Sequence, residues 1–288
     1  MAFRKILCVL GGSPGDTAAL ATAFALARQR DGHVAVLVPQ PDPRNAIPMV
    51  GEGVSGMMVS DIMKVMEQEN SQRLTQARAL FDAAVAQAGA VVAEHPSGPG
   101  GITASFHEAD GIPEDAVVTA ARVSDVTIFP SVSGDRDTAI VLALEACLMG
   151  SARPLVVAPP SGPEVVARRV AVAWNGSAEA TRAVALALPV LCAADQVVVL
   201  TAETGKTAGS AARDLLDYLA WNGVRAQAQT VEVRGEAVGA ALLRTALGAG
   251  ADLLVMGGYG HSRLRELILG GVTRHVLGHA QIPVLMAH

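Results

Sequence analysis

The stretch Ala251–Thr273, ADLLVMGGYGHSRLRELILGGVT, contains the features that decide the fold. It opens with an apolar run that is typical of a strand buried on both faces. Glycines 257, 258 and 260 follow, and glycine at the carboxyl end of a buried strand allows a sharp turn and the close approach of a ligand. The next residues predict a short amphipathic helix that begins at Ser262 and is interrupted at Gly270 and Gly271. The order is therefore strand, glycine loop, helix.

A second helix is predicted from Val272 to Gly278, and the unpaired N–H groups of its first turn lie beside the glycine loop. Such a helix start is a ready site for a phosphate group. The glycine spacing, Gly257-x2-Gly260-x9-Gly270, resembles the nucleotide loop of the universal stress protein family, G-x2-G-x9-G followed by Ser or Thr. Gly271 stands where the family has the hydroxyl residue, and Thr273 follows two places later. The resemblance implies a site for an adenine nucleotide.

An internal duplication extends this pattern to the whole chain. The stretch RKILCVLGGS near the amino terminus parallels RRVAVAWNGS, which begins at Arg168. A constant offset of 164 positions pairs Gly12 with Gly176 and Ser13 with Ser177. SDVTIFP, from Ser124, likewise parallels ADLLVMG in the opening stretch. The chain is therefore predicted to consist of two related units, residues 1–160 (the first half) and residues 165–288 (the second half).

Alternating strand and helix patterns predict the fold class of each half. The prediction is α/β, two tandem open and mostly parallel five-stranded sheets with helices on both faces, as in Rossmann-like folds. Family members usually dimerise through the last strand, and here the duplication would build that pair within one chain. We therefore expect the strands at Pro154–Ala158 and Pro283–Ala287 to pair across the halves, because unpaired apolar edges invite aggregation.

The two halves differ at the glycine loop. Where the second half has Gly257-Gly258-Tyr259-Gly260, the first has PSVSG followed by Asp135, Arg136 and Asp137. Acidic residues repel phosphate, and the first half has no counterpart of Gly270-Gly271. One nucleotide site per chain is therefore expected, in the second half. The residues assigned to it are Ala173, Trp174, Asn175, Leu200, Met256, Gly257, Tyr259, Gly260, His261, Arg263, Gly270, Gly271, Val272 and Thr273.

Several of these assignments leave alternatives open. The family usually has an Asp at the position of Asn175, close to the ribose and adenine; Asn keeps an acceptor and adds donors but loses the charge. Trp174 is either a wall of the adenine pocket or an ordinary core aromatic. Arg263 is either a phosphate contact or a solvated charge. The expected ligand is ATP or another adenine nucleotide, alone or with Mg²⁺, and no residue has the character of a dedicated catalytic base.

Composition limits the class of protein. Hydrophobic residues make up 51% of the chain and charged residues 17%, which fits a compact globular core. The net charge of −5 argues against a nucleic-acid surface. Three isolated cysteines, Cys8, Cys147 and Cys192, are expected to be reduced thiols, with Cys8 and Cys192 inert in apolar runs. No segment reaches the length of a membrane span or a signal peptide, so a cytoplasmic location is expected.

Other patterns have simpler explanations. Gly205-Lys206-Thr207 lacks the upstream glycine of a Walker A loop and is interpreted as a turn. His275 and His279 lack a third metal ligand, so a metal site is not predicted. The segment from Pro41 to about Thr75 carries five of the nine methionines and is interpreted as a loop plus a long helix, with a flap over a ligand or partner as the alternative. The rival functions are a slow Mg²⁺-dependent ATPase and a scaffold that binds proteins without nucleotide.

Overall fold

The computed structural model describes residues 3–42, 56–95, 100–132, 138–202, 208–258 and 271–288. The first half contains six strands and four helices in these residues: β1 Lys5–Val9, α1 Asp16–Ala27, β2 His33–Pro41, α2 Gly56–Ala88, β3 Val91–Val92, β4 Thr103–Gly111, α3 Pro113–Arg122, β5 Val126–Phe129, α4 Thr138–Gly150 and β6 Leu155–Val157. The second half contains five strands and four helices: β7 Arg169–Ala173, α5 Ala178–Leu191, β8 Gln196–Ala202, α6 Ala208–Trp221, β9 Ala226–Val231, α7 Val238–Gly248, β10 Leu253–Gly257, α8 Gly271–His279 and β11 Val284–Ala287.

All eleven strands form one continuous sheet in the order β3-β4-β2-β1-β5-β6-β11-β10-β7-β8-β9. Every neighbouring pair is parallel except β6 and β11, which pair antiparallel with Val284 opposite Val157 and Met286 opposite Leu155. The predicted pairing of the two terminal strands is therefore confirmed. The α/β class is confirmed as well, but the two expected sheets are joined edge to edge, and the short β3 gives the first half a sixth strand.

The strands are buried because helices cover both faces of the sheet. One apolar layer contains alternate strand residues such as Ile6 and Val172 together with the inner sides of α1, α2, α5 and α6. The opposite layer contains Leu7 and Ala171 with α3, α4, α7 and α8. Val, Leu, Ile and Ala dominate both layers. Because the strands are buried on both sides, their sequences hardly alternate between apolar and polar residues.

Two sequence interpretations can be compared directly with the fold. The methionine-rich segment leads into a 33-residue helix, α2, which agrees with the helical part of the loop-plus-helix interpretation, and residues 43–55 lie outside the described residues. The interpretation of Cys192 as a buried thiol is wrong, since Cys192 is exposed at the end of α5, whereas Cys8 and Cys147 are buried. The apolar run before Cys192 belongs to the helix, and the chain turns outward where it ends. No helix among the described residues is long and apolar enough to cross a membrane.

Candidate functional site

The strand order of the second half reverses between β7 and β10. From β7 the chain proceeds to β8 and β9 on one side, whereas β10 and β11 lie on the other. The helix that follows β7 packs on one face of the sheet and the helix that follows β10 packs on the opposite face. The two connections therefore diverge and leave a crevice at the carboxyl ends of these strands, the usual place for a ligand in an open α/β sheet.

Four of the predicted site residues lie at or near the carboxyl ends of the strands that border this crevice. Ala173 ends β7, and Met256 and Gly257 end the neighbouring β10. Leu200 lies opposite Ala173 on β8. Its side chain is only 1% exposed, and its carbonyl oxygen accepts the backbone N–H of Trp174 at 2.9 Å. Leu200 therefore supports the crevice from below.

The loop after β7 is ordered by its own polar groups. The side-chain oxygen of Asn175 accepts the N–H of Ser177 at 3.1 Å, and Ser177 Oγ accepts the N–H of Ala180 at 3.2 Å, which caps α5. Gly176 between them has φ +73, and no atom of the described residues lies within 4 Å of where its Cβ would be. Among the described residues, the side-chain NH₂ group of exposed Asn175 has no acceptor, so it can donate to a ligand. Trp174 is half-buried and packs against the core on the α5 face.

The first two glycines of the loop have packing roles. A Cβ on Gly257 would lie 2.5 Å from the backbone nitrogen of Ala180, so only glycine lets β10 approach the start of α5 this closely. A Cβ on Gly258 would lie 2.9 Å from Met286 Cε and 3.0 Å from Leu148 Cδ2 of the first half. Gly258 also donates its N–H to Ala287 O at 2.9 Å. The base of the loop is therefore fixed between the two halves.

Five of the predicted site residues lie outside the described residues. They are Tyr259, Gly260, His261, Arg263 and Gly270. The other end of the loop is described from Gly271, the first residue of α8, as the sequence predicted to within one position. Val272 is 38% exposed, whereas Thr273 is buried.

The two helix starts at the crevice differ in charge. Glu179 lies in the first turn of α5, and its pKa is lowered by a hydrogen bond with its own backbone N–H and by Ser177, Arg182 and His288. This carboxylate occupies the positive end of α5. The first turn of α8 has no acidic residue. An anion in the crevice would therefore be attracted to α8 and repelled from α5.

The equivalent crevice of the first half contains an anion supplied by the chain itself. Asp16 is fully buried at the start of α1, and its carboxylate accepts the N–H groups of Gly12 at 2.8 Å and of Gly11 and Ser13 at 3.3 Å. Ser13 Oγ donates to the same carboxylate at 3.1 Å. Burial raises the pKa of Asp16, although these hydrogen bonds oppose the rise. The corresponding residue of the second half is Ala180.

Two further contacts close the first crevice. Helix α2 lies directly over Gly12, where a Cβ would be 2.8 Å from Arg73 Cγ and 3.0 Å from Arg73 Cα. Gly15, before α1, meets the end of β5, and its Cβ would lie 3.2 Å from Pro130 Cβ. Side chains and a helix thus occupy positions around Gly12 whose counterparts around Gly176 hold no atom of the described residues.

The sequence analysis missed a cleft on the first half that both apolar and polar side chains line. The cleft has a volume of about 980 Å³ and lies between α3 and the outer part of the sheet. Ser105 Oγ lies 3.0 Å from His33 Nε2 and 2.7 Å from His107 Nε2, and His33 Nδ1 lies 2.9 Å from Thr103 Oγ1. Burial lowers the pKa of His33. The alternation of Thr103, Ser105 and His107 along β4 was the available signal, since alternate residues of a strand share a face.

The remaining candidates of the sequence analysis do not join the crevice. Gly205-Lys206-Thr207 lies outside the described residues. His275 and His279 stack with ring centroids 4.2 Å apart, and His279 Nδ1 lies 2.8 Å from the carbonyl oxygen of His275. Within the described ranges, no three His, Cys, Asp or Glu side chains are grouped as ligands of one metal ion.

Comparisons with known proteins agree with this architecture. Residues 167–288 match the universal stress protein family. Universal stress protein Slr1230 of Synechocystis sp. (strain ATCC 27184 / PCC 6803 / Kazusa) is 56% identical over 34 residues, an alignment that spans 12% of this chain and 12% of that protein. The chain therefore aligns with about an eighth of the length of this curated relative.

Solved structures match the chain along its whole length. A universal stress protein from Archaeoglobus fulgidus DSM 4304 has a TM-score of 0.67 at 16% identity, covering 98% of this chain and 97% of that one. A putative universal stress protein from Pseudomonas aeruginosa UCBPP-PA14 has a TM-score of 0.55 at 14% identity, covering 99% and 93%. At these identities the likeness concerns the fold. The sequence match to the universal stress protein family therefore concerns the second half, and the whole chain shares the fold of these solved structures.

Proposed function

We propose that this chain is a universal stress protein whose second half binds an adenine nucleotide, ATP, ADP or AMP, in the crevice between the carboxyl ends of β7 and β10. The chain would act as a nucleotide-responsive regulatory module in a cytoplasmic stress response. The single observation that carries the proposal is the reversal of strand order at this point, with a family-type glycine loop leading from β10 to α8. Ligands of open α/β sheets bind at such reversals.

The charges at the crevice support one orientation of the nucleotide. The phosphates would lie at the amino end of α8, where N–H groups point outward and the first turn has no carboxylate. They would avoid α5, because Glu179 is negative at its start. The base and ribose would then lie toward Trp174 and Asn175, after β7. The NH₂ group of Asn175 is suited to a ribose hydroxyl or a ring nitrogen of adenine.

The same reasoning supports one nucleotide per chain. In the first half, the amide groups of Gly11, Gly12 and Ser13 already donate to the carboxylate of Asp16. Helix α2 covers this loop at Gly12. A nucleotide would have to displace a helix and approach a buried carboxylate, both of which cost free energy.

Mass spectrometry of ligand released from the purified protein is the first test, and an adenine nucleotide is expected. Calorimetric titration of ligand-free protein with ATP, ADP and AMP should then give one site per chain for at least one of them. Two equivalent sites would contradict the assignment to the second half.

Absence of binding for all three nucleotides would refute the proposal. It would favour a scaffold function, for which α2 offers the supporting observation. Val65 of this helix is 55% exposed, in the segment that also contains Met63 and Met66.

A further inference from the structure

A cavity of about 510 Å³ lies at the junction of the two halves, and three arginines of the first half line it. Arg4 precedes β1, Arg30 precedes β2 and Arg153 precedes β6. We propose that this cavity binds a small organic anion, a phosphate or carboxylate joined to an apolar group. It contains none of the residues assigned to the nucleotide crevice, so the inference does not depend on nucleotide binding.

The arginines give the cavity an excess of positive charge. Arg4 Nη1 donates to the carbonyl oxygen of Arg30 at 2.9 Å, which brings these two residues together. Within the described parts of the chain, the side chains of Arg30 and Arg153 make no hydrogen bond or ion pair. Asp125 is the one carboxylate that lines the cavity, and its Oδ2 accepts the N–H groups of Arg4 at 2.7 Å and Lys5 at 2.9 Å. Two positive charges remain in excess in a chain whose net charge is −5.

The opposite wall is apolar and belongs to the second half. Ala185, Leu186 and Pro189 of α5 form it, and Phe3 and Pro154 complete it. Guanidinium groups bind carboxylate and phosphate oxygens through paired N–H donors. An apolar wall beside them favours a ligand with an apolar part, because binding removes both surfaces from water. The combination therefore fits an organic anion better than a hydrated inorganic ion.

The duplication provides an internal comparison for the charged groups. Arg168 corresponds to Arg4, but its guanidinium is paired with Asp195, with Nε 2.7 Å from Oδ2. Alanine 194 and isoleucine 282 stand at the positions that correspond to Arg30 and Arg153. The aspartate is kept, since Asp252 accepts the N–H groups of Arg168 and Arg169 as Asp125 does for Arg4 and Lys5. The structural carboxylate is thus common to both halves, whereas the surplus arginines occur in one.

The apolar helix surface also differs between the two junctions. The position that corresponds to Ala185 is Ala21 of α1, and the segment that connects the halves packs on it. A Cβ on Gly162 of this segment would lie 2.7 Å from Ala21 Cβ. Gln29 Nε2 also donates to Val166 O at 2.8 Å, which holds the same segment. One junction is therefore covered by the connecting segment and has no excess of positive charge, whereas the other is open and positive.

Titration with 1-naphthyl phosphate and with octanoate tests the proposal in the full chain. Binding is followed by calorimetry and by the methyl NMR signals of Leu186. Both probes should bind and shift Leu186. Inorganic phosphate and 1-naphthol, which carry only the head or only the apolar part, should each bind at least about tenfold more weakly. If only one of the two probes binds, its head group shows whether the site takes a phosphate or a carboxylate.

The matched variants convert one junction into the other. Arg30→Ala with Arg153→Ile installs the residues of the second half and should weaken binding about a hundredfold, about tenfold for each guanidinium removed. Arg168→Ala with Arg234→Ala makes the same change in net charge elsewhere and should leave binding within about twofold. Circular dichroism melting establishes that each variant folds. Should the double variant fail to fold, Arg153→Ile alone should still weaken binding about tenfold.

Three results would overturn the proposal. These are no binding of either probe to the parent, equal binding to parent and double variant, or shifts that spare Leu186. Saturating ATP should not displace the probes, and displacement would place them in the nucleotide crevice instead. Loss of ATP binding without loss of probe binding would refute the proposed function and leave this site intact.

Discussion

The strand order reverses once in each half of this molecule, and the crevices at the two reversals share a fold but differ in the groups that surround them. In the second half, no atom of the described residues lies within 4 Å of the position that a Cβ on Gly176 would take. In the first half, Gly12 lies under α2, and the buried carboxylate of Asp16 accepts the N–H groups of the loop. Both loops carry Gly-Ser at the equivalent positions. The comparison teaches that the fold supplies a crevice, and that one carboxylate and one helix are enough to fill it.

A second difference concerns the contact between strand end and helix start. In the first half Pro130 ends the strand and meets Gly15, whereas in the second half Gly257 ends the strand and meets Glu179 and Ala180. Each contact thus contains one glycine, which lies at the helix start in the first half and at the strand end in the second half. Space for close packing is conserved in both halves, but only the second half leaves the glycine on the strand that leads into the glycine loop.

The largest expected effect separates the two glycine loops. Gly260→Val should lower ATP affinity by several orders of magnitude, because two or three backbone hydrogen bonds to phosphate would be lost at about 1.5–3 kcal/mol each. A β-branched residue also resists the positive φ that such loops use. Gly260 lies outside the described residues, so this prediction rests on the sequence. Calorimetric titration with ATP measures it.

The control is Gly134→Val in the first half, also outside the described residues, which should leave ATP affinity unchanged. Both variants should keep the far-ultraviolet circular dichroism of the parent. If both bind ATP as the parent does, the glycine loop is structural and the scaffold function is favoured.

The next effect tests whether Asp16 holds the first crevice together. Asp16→Ala should lower the free energy of unfolding by about 3 kcal/mol, because buried N–H donors lose their acceptor. Urea unfolding monitored by circular dichroism measures the change. Asp195→Ala, which removes an exposed ion pair with Arg168, should cost less than about 1 kcal/mol. Equal costs would mean that the buried carboxylate does not stabilise its loop.

A smaller effect is expected at the strand end of the second half. Gly257→Ala should lower the free energy of unfolding by about 1–3 kcal/mol, because the new Cβ would overlap the backbone of Ala180 and push α5 away. Gly278→Ala is the matched control, since its Cβ would meet no atom of the described residues within 4 Å and α8 should gain up to about 1 kcal/mol. Thermal melts that move in the same direction for both variants would contradict the packing role.

The smallest effect is a dependence on pH that is specific to the first crevice. Burial raises the pKa of Asp16 in the folded protein, so the native state binds this proton more tightly than the unfolded chain. The contribution of Asp16 to stability is then greatest below the unfolded pKa of about 3.9 and declines as the pH rises through the folded pKa. Unfolding free energies of the parent minus those of Asp16→Asn should therefore fall as the pH rises from about 4. A difference that rises with pH would show that hydrogen bonding outweighs burial.

Features that depend on local pattern were predictable from the sequence. Apolar runs gave β1, β7 and β10, and the constant offset between the halves predicted the equivalent loops at Gly12 and Gly176. The pairing of β6 with β11 followed from the need to cover two apolar edges. The convergence of Ala173, Leu200 and Gly257 followed because parallel strands end at one side of a sheet.

Features that depend on contacts between distant residues were not predictable. Nothing near Gly257 in sequence shows that α5 approaches it, so its glycine was explained by a sharp turn and the close approach of a ligand. The role of Asp16 was not predicted, because its four donors become its neighbours only when the loop folds around it. The exposure of Cys192 depends on where α5 ends relative to the sheet, and composition carries no information about that.

The antiparallel junction of β6 and β11 has a consequence for dilute solution. Two separate subunits that met along this edge would come apart when their concentration fell below the dissociation constant. Here the connecting segment keeps both edges at an effective concentration on the order of millimolar. Each half therefore always meets the same unlike partner, so a mixture of like and unlike pairs never forms. Every molecule therefore contains one crevice filled by Asp16 and one crevice of the second half, whatever the level of expression.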